Sequence, residues 1–174
     1  MTQLGWKIDL SKCIGCRACV EACKFENNTT LDLSVNYRWV TDVERGLYPA
    51  VTRDFVPLAC NHCANPACKR ACPTKAITKR ASDGIVLIDQ NKCVGCQECV
   101  MACPYGVPQF NRVTKKVEKC TFCVHRQAAG LPPACAATCV GGAIAFGTDF
   151  VRHGDPPAGF ANPIQTNPSI EFKR

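Results

Sequence analysis

The sequence predicts an α+β fold made of two interleaved units with an inserted hairpin and an extended C-terminal tail, and three observations predict it. Sixteen of the 174 residues are cysteine, in four groups of four: Cys13, Cys16, Cys19, Cys23; Cys60, Cys63, Cys68, Cys72; Cys93, Cys96, Cys99, Cys103; and Cys120, Cys123, Cys135, Cys139. Ile8–Cys23 recurs as Ile88–Cys103, with ten identities in sixteen positions. Pro66-Ala67-Cys68-x3-Cys72-x3-Ala76-Ile77 returns as Pro133-Ala134-Cys135-x3-Cys139-x3-Ala143-Ile144. Internal duplication of this kind sets the architecture before any local pattern does.

The spacing decides the chemistry. Groups one and three read C-x2-C-x2-C-x3-C, in which three sulfurs wrap one cubane and the fourth reaches a neighbouring one. Proline follows Cys72 and Cys103, the ferredoxin form of such a run. Each unit is therefore read as bacterial-ferredoxin-like and holding two clusters, which makes four 4Fe-4S clusters. A zinc-rich structural or interaction module is the remote alternative. Zinc sites join two C-x2-C knuckles across a spacer, however, and do not call for a third and fourth cysteine at these intervals. A disulfide scaffold belongs to exported chains, and Met1 to Leu10 show neither a basic-then-apolar leader nor a twin arginine.

Taken in order, helical character is expected from Cys19 to Cys23 and again from Cys99 to Cys103. Gly15 and Gly95, each just before a second cysteine, let the backbone approach a cluster closely. Residues 24–59 are the longest insertion and read as a hairpin, with Val35, Tyr37 and Trp39 packed on one face and Gly46 in the turn. Beyond Cys72, Ala76-Ile77-Thr78 reads as a short strand, Ser82-Asp83-Gly84 as a turn and Ile85–Ile88 as the returning strand. Groups two and three thus form one contiguous unit, residues 60–110. Groups one and four form the other by elimination, from residues 1–23 plus 111–147. Residues 148–174 are punctuated by Asp155-Pro156-Pro157, Asn162-Pro163 and Asn167-Pro168, yet carry Phe150, Phe160, Ile164, Ile170 and Phe172. They read as a strap packed on the domain or on a partner.

With the fourth cysteine crossing over within each unit, the expected ligand sets are Cys13, Cys16, Cys19 with Cys139; Cys120, Cys123, Cys135 with Cys23; Cys60, Cys63, Cys68 with Cys103; and Cys93, Cys96, Cys99 with Cys72. The formal charge of +7 must be read with these centres in place. At about −2 for each oxidised cluster with its thiolates, the balance falls to about −1. The basic residues are then largely counter-charge, with Lys12, Lys92 and Lys119 each directly before a cysteine. No basic stretch is interleaved with aromatics, so nucleic-acid binding is not expected. No apolar run approaches the length of a membrane span. No catalytic triad, phosphate-cradling loop or nucleotide fingerprint is present, and no residue is assigned a catalytic role. His62 and His125 read as hydrogen-bonding groups around the clusters or at an interface. Cysteine occupies so many core positions that the chain without metal is expected to be largely unfolded.

Cys60-Asn61-His62-Cys63, Ala102-Cys103-Pro104-Tyr105-Gly106 and Lys119-Cys120-Thr121-Phe122-Cys123-x-His125-Arg126 resemble the four-cluster iron–sulfur subunits of the complex iron–sulfur molybdoenzymes. That family includes the electron-transfer subunits of dimethyl sulfoxide, polysulfide and arsenate reductases and of formate dehydrogenases; related polyferredoxin subunits serve tungsten aldehyde oxidoreductases. The resemblance covers residues 5–147 and implies a non-catalytic hetero-oligomeric subunit, with self-association a further option. Its implied partners are a molybdopterin- or tungstopterin-bearing catalytic subunit and a second redox partner, a flavoprotein, ferredoxin or membrane anchor. A freestanding polyferredoxin is the alternative. Val140 stands where a proline often follows the last cysteine, while all sixteen cysteines are kept, which favours four 4Fe-4S centres over a three-iron variant. A cytoplasmic location is expected, with periplasmic co-export beside a twin-arginine partner as the alternative.

Overall fold

The computed structural model describes residues 2–29 and 35–174. Strand β1 (Gly5–Asp9) ends where the Asp9 carboxylate accepts from the Ser11 N–H and starts a 3-10 turn, Leu10–Lys12. The cysteine loop then passes through left-handed Gly15 and Arg17, at φ 70° and 61°. Helix α1 (Ala18–Asn27) follows and stops at left-handed Asn28, a usual helix end. The helical stretch expected at Cys19–Cys23 therefore runs one turn further, because Lys24, Phe25 and Glu26 contain no helix breaker. The insertion continues as a hairpin, β2 (Arg38–Arg45) against β3 (Thr52–Ala59), with Gly46 at φ 80° beginning the turn. Residues 30–34 of the insertion lie outside the described residues.

The next segment holds the short helix α2 (Ala67–Arg70), β4 (Ile77–Lys79), β5 (Val86–Ile88) and α3 (Glu98–Ala102). It copies the first motif in detail. Asp89 accepts from the Asn91 N–H as Asp9 does from Ser11, and Gly95 and Gln97 repeat the left-handed pair at φ 71° and 66°. Helix α3 is shorter than α1. Pro104 directly after Cys103 disfavours the helical conformation in the residue before it.

The chain then forms a second hairpin, β6 (Gln109–Asn111) with β7 (Lys116–Glu118), two short helices, α4 (Val124–Ala128) and α5 (Ala134–Ala137), and strands β8 (Ile144–Gly147) and β9 (Ile170–Lys173). β8 pairs antiparallel with β1, placing Ile8 opposite Ile144, and β4 pairs antiparallel with β5, placing Ile88 opposite Ile77. These are the same two positions of the repeat. The Asp9 N–H donates to Ala143 at 2.9 Å and the Asp89 N–H to Ala76 at 2.9 Å. Helix α1 packs on α5, and α2 on α3.

β9 joins the other edge of β1 in parallel, aligning Phe172 with Ile8. The tail thus packs on the domain, with Ile170 and Phe172 buried, while Ile164 stays exposed. Before the final strand the tail is not extended as expected but folds through turns, with the Phe160 N–H donating to Pro157 and the Asn167 N–H to Pro163. The main core gathers Trp6, Ile8, Leu10, Phe122, Ile144, Ile170 and Phe172. Trp6 stacks on Phe122 with centroids 4.1 Å apart, and its indole N–H donates to the Cys60 carbonyl at 3.0 Å. Each such side chain contributes about 1.5–3 kcal/mol when fully buried. The tryptophan also ties β1 to the start of group two.

Candidate metal centre

Three cavities in the fold are each lined by four cysteines. Cys13, Cys16, Cys19 and Cys139 share one with Val40, Pro57 and Ile144. Cys60, Cys63, Cys68 and Cys103 share the next with His62, Val86 and Lys119. Cys72, Cys93, Cys96 and Cys99 share the third with Ile77, Ile88 and Val117. The remaining four, Cys23, Cys120, Cys123 and Cys135, are all buried. Cys23 lies within electrostatic reach of Cys135 and Cys123, and Cys120 within reach of Cys23 and Cys135. These groups are referred to as sites 1, 3, 4 and 2, respectively.

The local backbone explains the arrangement. Left-handed residues before the third cysteine of groups one and three turn the loop so that its thiols face inward, and the next helix carries the fourth cysteine away from the first three. In groups two and four, Pro66 and Pro133 precede α2 and α5 and are suited to a helix start. Gly15 and Gly95 need their left-handed φ, but the space they keep clear belongs to other segments. A Cβ on Gly15 would lie 2.6 Å from the Phe55 ring, and one on Gly95 would strike the Lys115 carbonyl.

All sixteen thiols are free. Burial pushes Cys19 and Cys99 up to about 11 and Cys23, Cys63 and Cys68 up to about 12, from 9.0. Burial drives Cys120 well above that ordinary value. At Cys72 slight burial acts upward, but hydrogen bonds from Thr74 and from the Ile77 and Ala76 N–H groups outweigh it, and the thiol is lowered. A buried thiol becomes a thiolate only when a metal replaces its proton. Among the described residues no three His, Cys, Asp or Glu side chains converge on a single ion; the thiols instead surround a space. A cubane, whose irons sit at separate corners, fits that donor set.

The sites form a row. Cys19 of site 1 feels Cys135 of site 2, Cys120 of site 2 feels Cys60 of site 3, and Cys68 of site 3 feels Cys99 of site 4. At the two ends, Cys16 and Cys96 are exposed, each two residues from an exposed apolar side chain, Ile14 and Val94.

The charged surroundings differ from a reading by sequence neighbours. Lys12 and Lys92 are exposed and pair with Asp9 and Asp89 at 3.3 and 3.8 Å. Lys119 is buried and donates to the carbonyls of Val86 and Cys120. His62 is buried, accepts from the Val86 N–H through Nδ1, and is held neutral by burial and by Lys119 and Lys79 nearby. His125 bonds Glu26 at the surface, 2.7 Å away. The residue that sequence reasoning missed is Arg38. Alternation puts it on the opposite face of the strand from Val35, Tyr37 and Trp39, yet it is 1% exposed while Tyr37 and Trp39 are half-buried.

Residues 51–149 match the family described as 4Fe-4S dicluster domain, and residues 6–26 match the 4Fe-4S binding domain. The chain is 38% identical to an anaerobic dimethyl sulfoxide reductase chain of Escherichia coli (strain K12), over 99% of this chain and 89% of that one. It is 47% identical to a tetrathionate reductase subunit of Salmonella typhimurium, over 80% of this chain but only 56% of the relative, so it spans little more than half of that protein. To the beta subunit of perchlorate reductase from Dechloromonas aromatica it is 49% identical over 63% of its own length and 33% of the relative's. With four cysteine quartets in a row and relatives of this kind, the chain belongs to the 4Fe-4S dicluster family, as a four-cluster, non-catalytic electron-transfer subunit of the complex iron–sulfur molybdoenzyme type.

Proposed function

We propose that this subunit relays electrons between a molybdenum- or tungsten-pterin catalytic subunit and a second redox partner, a flavoprotein, ferredoxin or membrane quinone module. The observation that carries the reading is the row of four cysteine sites with exposed ends at Cys16 and Cys96. One-electron centres in series suit a two-electron catalyst that must exchange electrons singly. The relatives are named as single subunits or chains of reductases, which supports a catalytic partner.

The proposed ligand sets are those of sites 1 to 4, with Cys139, Cys23, Cys103 and Cys72 each crossing to the opposite motif. The cysteine cavities support three of these sets, and mutual burial supports the fourth. The same reading takes the chain as two interleaved ferredoxin units, one from residues 1–23 plus 111–147 and one from 60–110. The matching strand registers Ile8 to Ile144 and Ile88 to Ile77 support that division. Residues 24–59 are then the insertion and 148–174 the strap. We place the subunit in the cytoplasm, where thiols stay reduced, with co-export beside a partner as the other option.

Affinity purification from the native host tests the partner. A pterin-bearing subunit should elute with the chain in fixed ratio. Elution alone, with all clusters present and reducible, would support a freestanding polyferredoxin instead.

A further inference from the structure

Arg38 opens β2 opposite Ala59, and its side chain turns inward. Its guanidinium lies over the Trp6 ring, 4.6 Å from the centroid, with 1% of the residue exposed. Among the described residues, Nε, Nη1 and Nη2 have no hydrogen-bond partner and no carboxylate pairs with the group. A cation sealed from water and left unpaired is strongly unfavourable unless anionic charge lies beside it. Within its electrostatic reach lie thiols of two different sites: Cys13 and Cys19 of site 1 and Cys23, Cys120 and Cys135 of site 2. Lys119 and Lys24, which are also buried near the cysteines, have carbonyl partners, Val86 and Cys120 for the first and Val35 for the second. Arginine suits the position because it is weakly hydrated, stays charged and stacks on aromatic faces.

We propose that Arg38 is the shared counter-charge of the clusters at sites 1 and 2, a positioning residue that raises both reduction potentials together. This inference rests on the ligand sets given above. Each reduction adds one negative charge, so a fixed cation between the two centres favours the reduced form of both. Their potentials then move as a pair, separately from those at sites 3 and 4. A single side chain thus sets the first half of the row apart from the second. Because Arg38 enters from the inserted hairpin, the insertion is part of the redox tuning as well as part of the core.

The test is a redox titration of the holoprotein followed by paramagnetic resonance, in wild type, Arg38→Met and Arg38→Lys. The four signals are first assigned with single cysteine-to-serine variants, so a wrong ligand set shows itself in the assignment, whatever Arg38 does. Arg38→Met is expected to lower the potentials at sites 1 and 2 by about 59 mV each, a tenfold change in the equilibrium constant of a one-electron couple. Sites 3 and 4 should stay in place, and Arg38→Lys should restore most of the shift. If Arg38→Met sheds iron, the loss should be confined to sites 1 and 2 and be repaired by Arg38→Lys. Equal shifts at all four sites, no shift at sites 1 and 2, loss of iron from all four sites, or a lysine variant as impaired as the methionine one would overturn the proposal.

Discussion

The two copies of the first motif share a cysteine spacing, a capping aspartate and a left-handed pair, yet they sit in different surroundings. In Ile8–Cys23, strand β1 is the centre of a three-stranded sheet, Ile8 is 1% exposed and Cys23 is buried. In Ile88–Cys103, β5 has a single neighbour, and Ile88 and Cys103 are half-buried. The repeat itself specifies ligand geometry. What differs comes from outside it: Lys24 instead of Pro104 after the fourth cysteine, the hairpin that brings Arg38, and the tail that supplies β9. Since the potential of a cluster follows charge, hydrogen bonds and solvent exposure, a duplicated motif becomes two different redox environments without changing a ligand.

The largest expected effect removes what the copies share. Eight of the buried core positions are cysteines, and thiols alone cannot fill the space a cubane takes. A chelator that strips the iron should therefore leave a chain with little of its native secondary structure by far-ultraviolet circular dichroism. The loaded protein should contain about 16 irons per chain. A metal-free chain that keeps its native spectrum would show that the apolar core alone carries both copies.

Next in size is a test of the crossing. Cys23→Ser should abolish or alter the cluster at site 2 and leave site 1, and Cys103→Ser should do the same at site 3 and leave site 4. Cluster-resolved paramagnetic resonance reads both. The loss at the buried Cys23 should also lower the thermal bleaching midpoint more than the loss at Cys103. Damage at site 1 from Cys23→Ser would break the equivalence of the two copies.

Much of this was legible in the sequence because cysteine spacing and identity at an offset are local signals. The strand, turn and strand from Ile77 to Ile88 and the hairpin turn at Gly46 were readable for the same reason. β9 was not: a parallel neighbour leaves no local trace, and the prolines around it read as extended tail. Arg38 was not either. Alternation assigns Tyr37 and Trp39 to the interior, and only tertiary structure brings a cation at that register within electrostatic reach of thiols from residues 19, 23, 120 and 135. The need for glycine at positions 15 and 95 is visible in the repeat, but the crowding atoms belong to Phe55 and Lys115, which the chain brings in from far away.

Those glycines supply a finer comparison. Alanine at either position must hold a left-handed conformation, which costs about 1–2 kcal/mol. At Gly15 the added methyl meets the Phe55 side chain, which can rotate; at Gly95 it meets the backbone carbonyl of Lys115, which is held in the turn between β6 and β7. Gly95→Ala should therefore be the more damaging, by about 1 kcal/mol or more, measured as the shift in denaturant midpoint for cluster loss. Equal effects would mean that backbone strain alone accounts for both glycines.

The smallest effect concerns the extra turn of α1, which α3 lacks. There Glu26 reaches across to α4, 2.7 Å from His125 Nε2 and 2.9 Å from Arg126 Nη1. The hydrogen bond with His125, and then that with Arg126, holds the Glu26 carboxyl below its ordinary value of 4.5. A carboxyl lowered by folding contributes stability above its unfolded value and loses it as pH falls through the lowered folded one. Glu26→Gln should therefore weaken amide-exchange protection at the end of α1 at pH values above that ordinary carboxyl value. The difference between variant and wild type should shrink below about 4.5, as the carboxyl protonates. If the difference persists undiminished well below 4.5, the Glu26 carboxylate is not what links α1 to α4, and the additional turn of the first copy is held by something else.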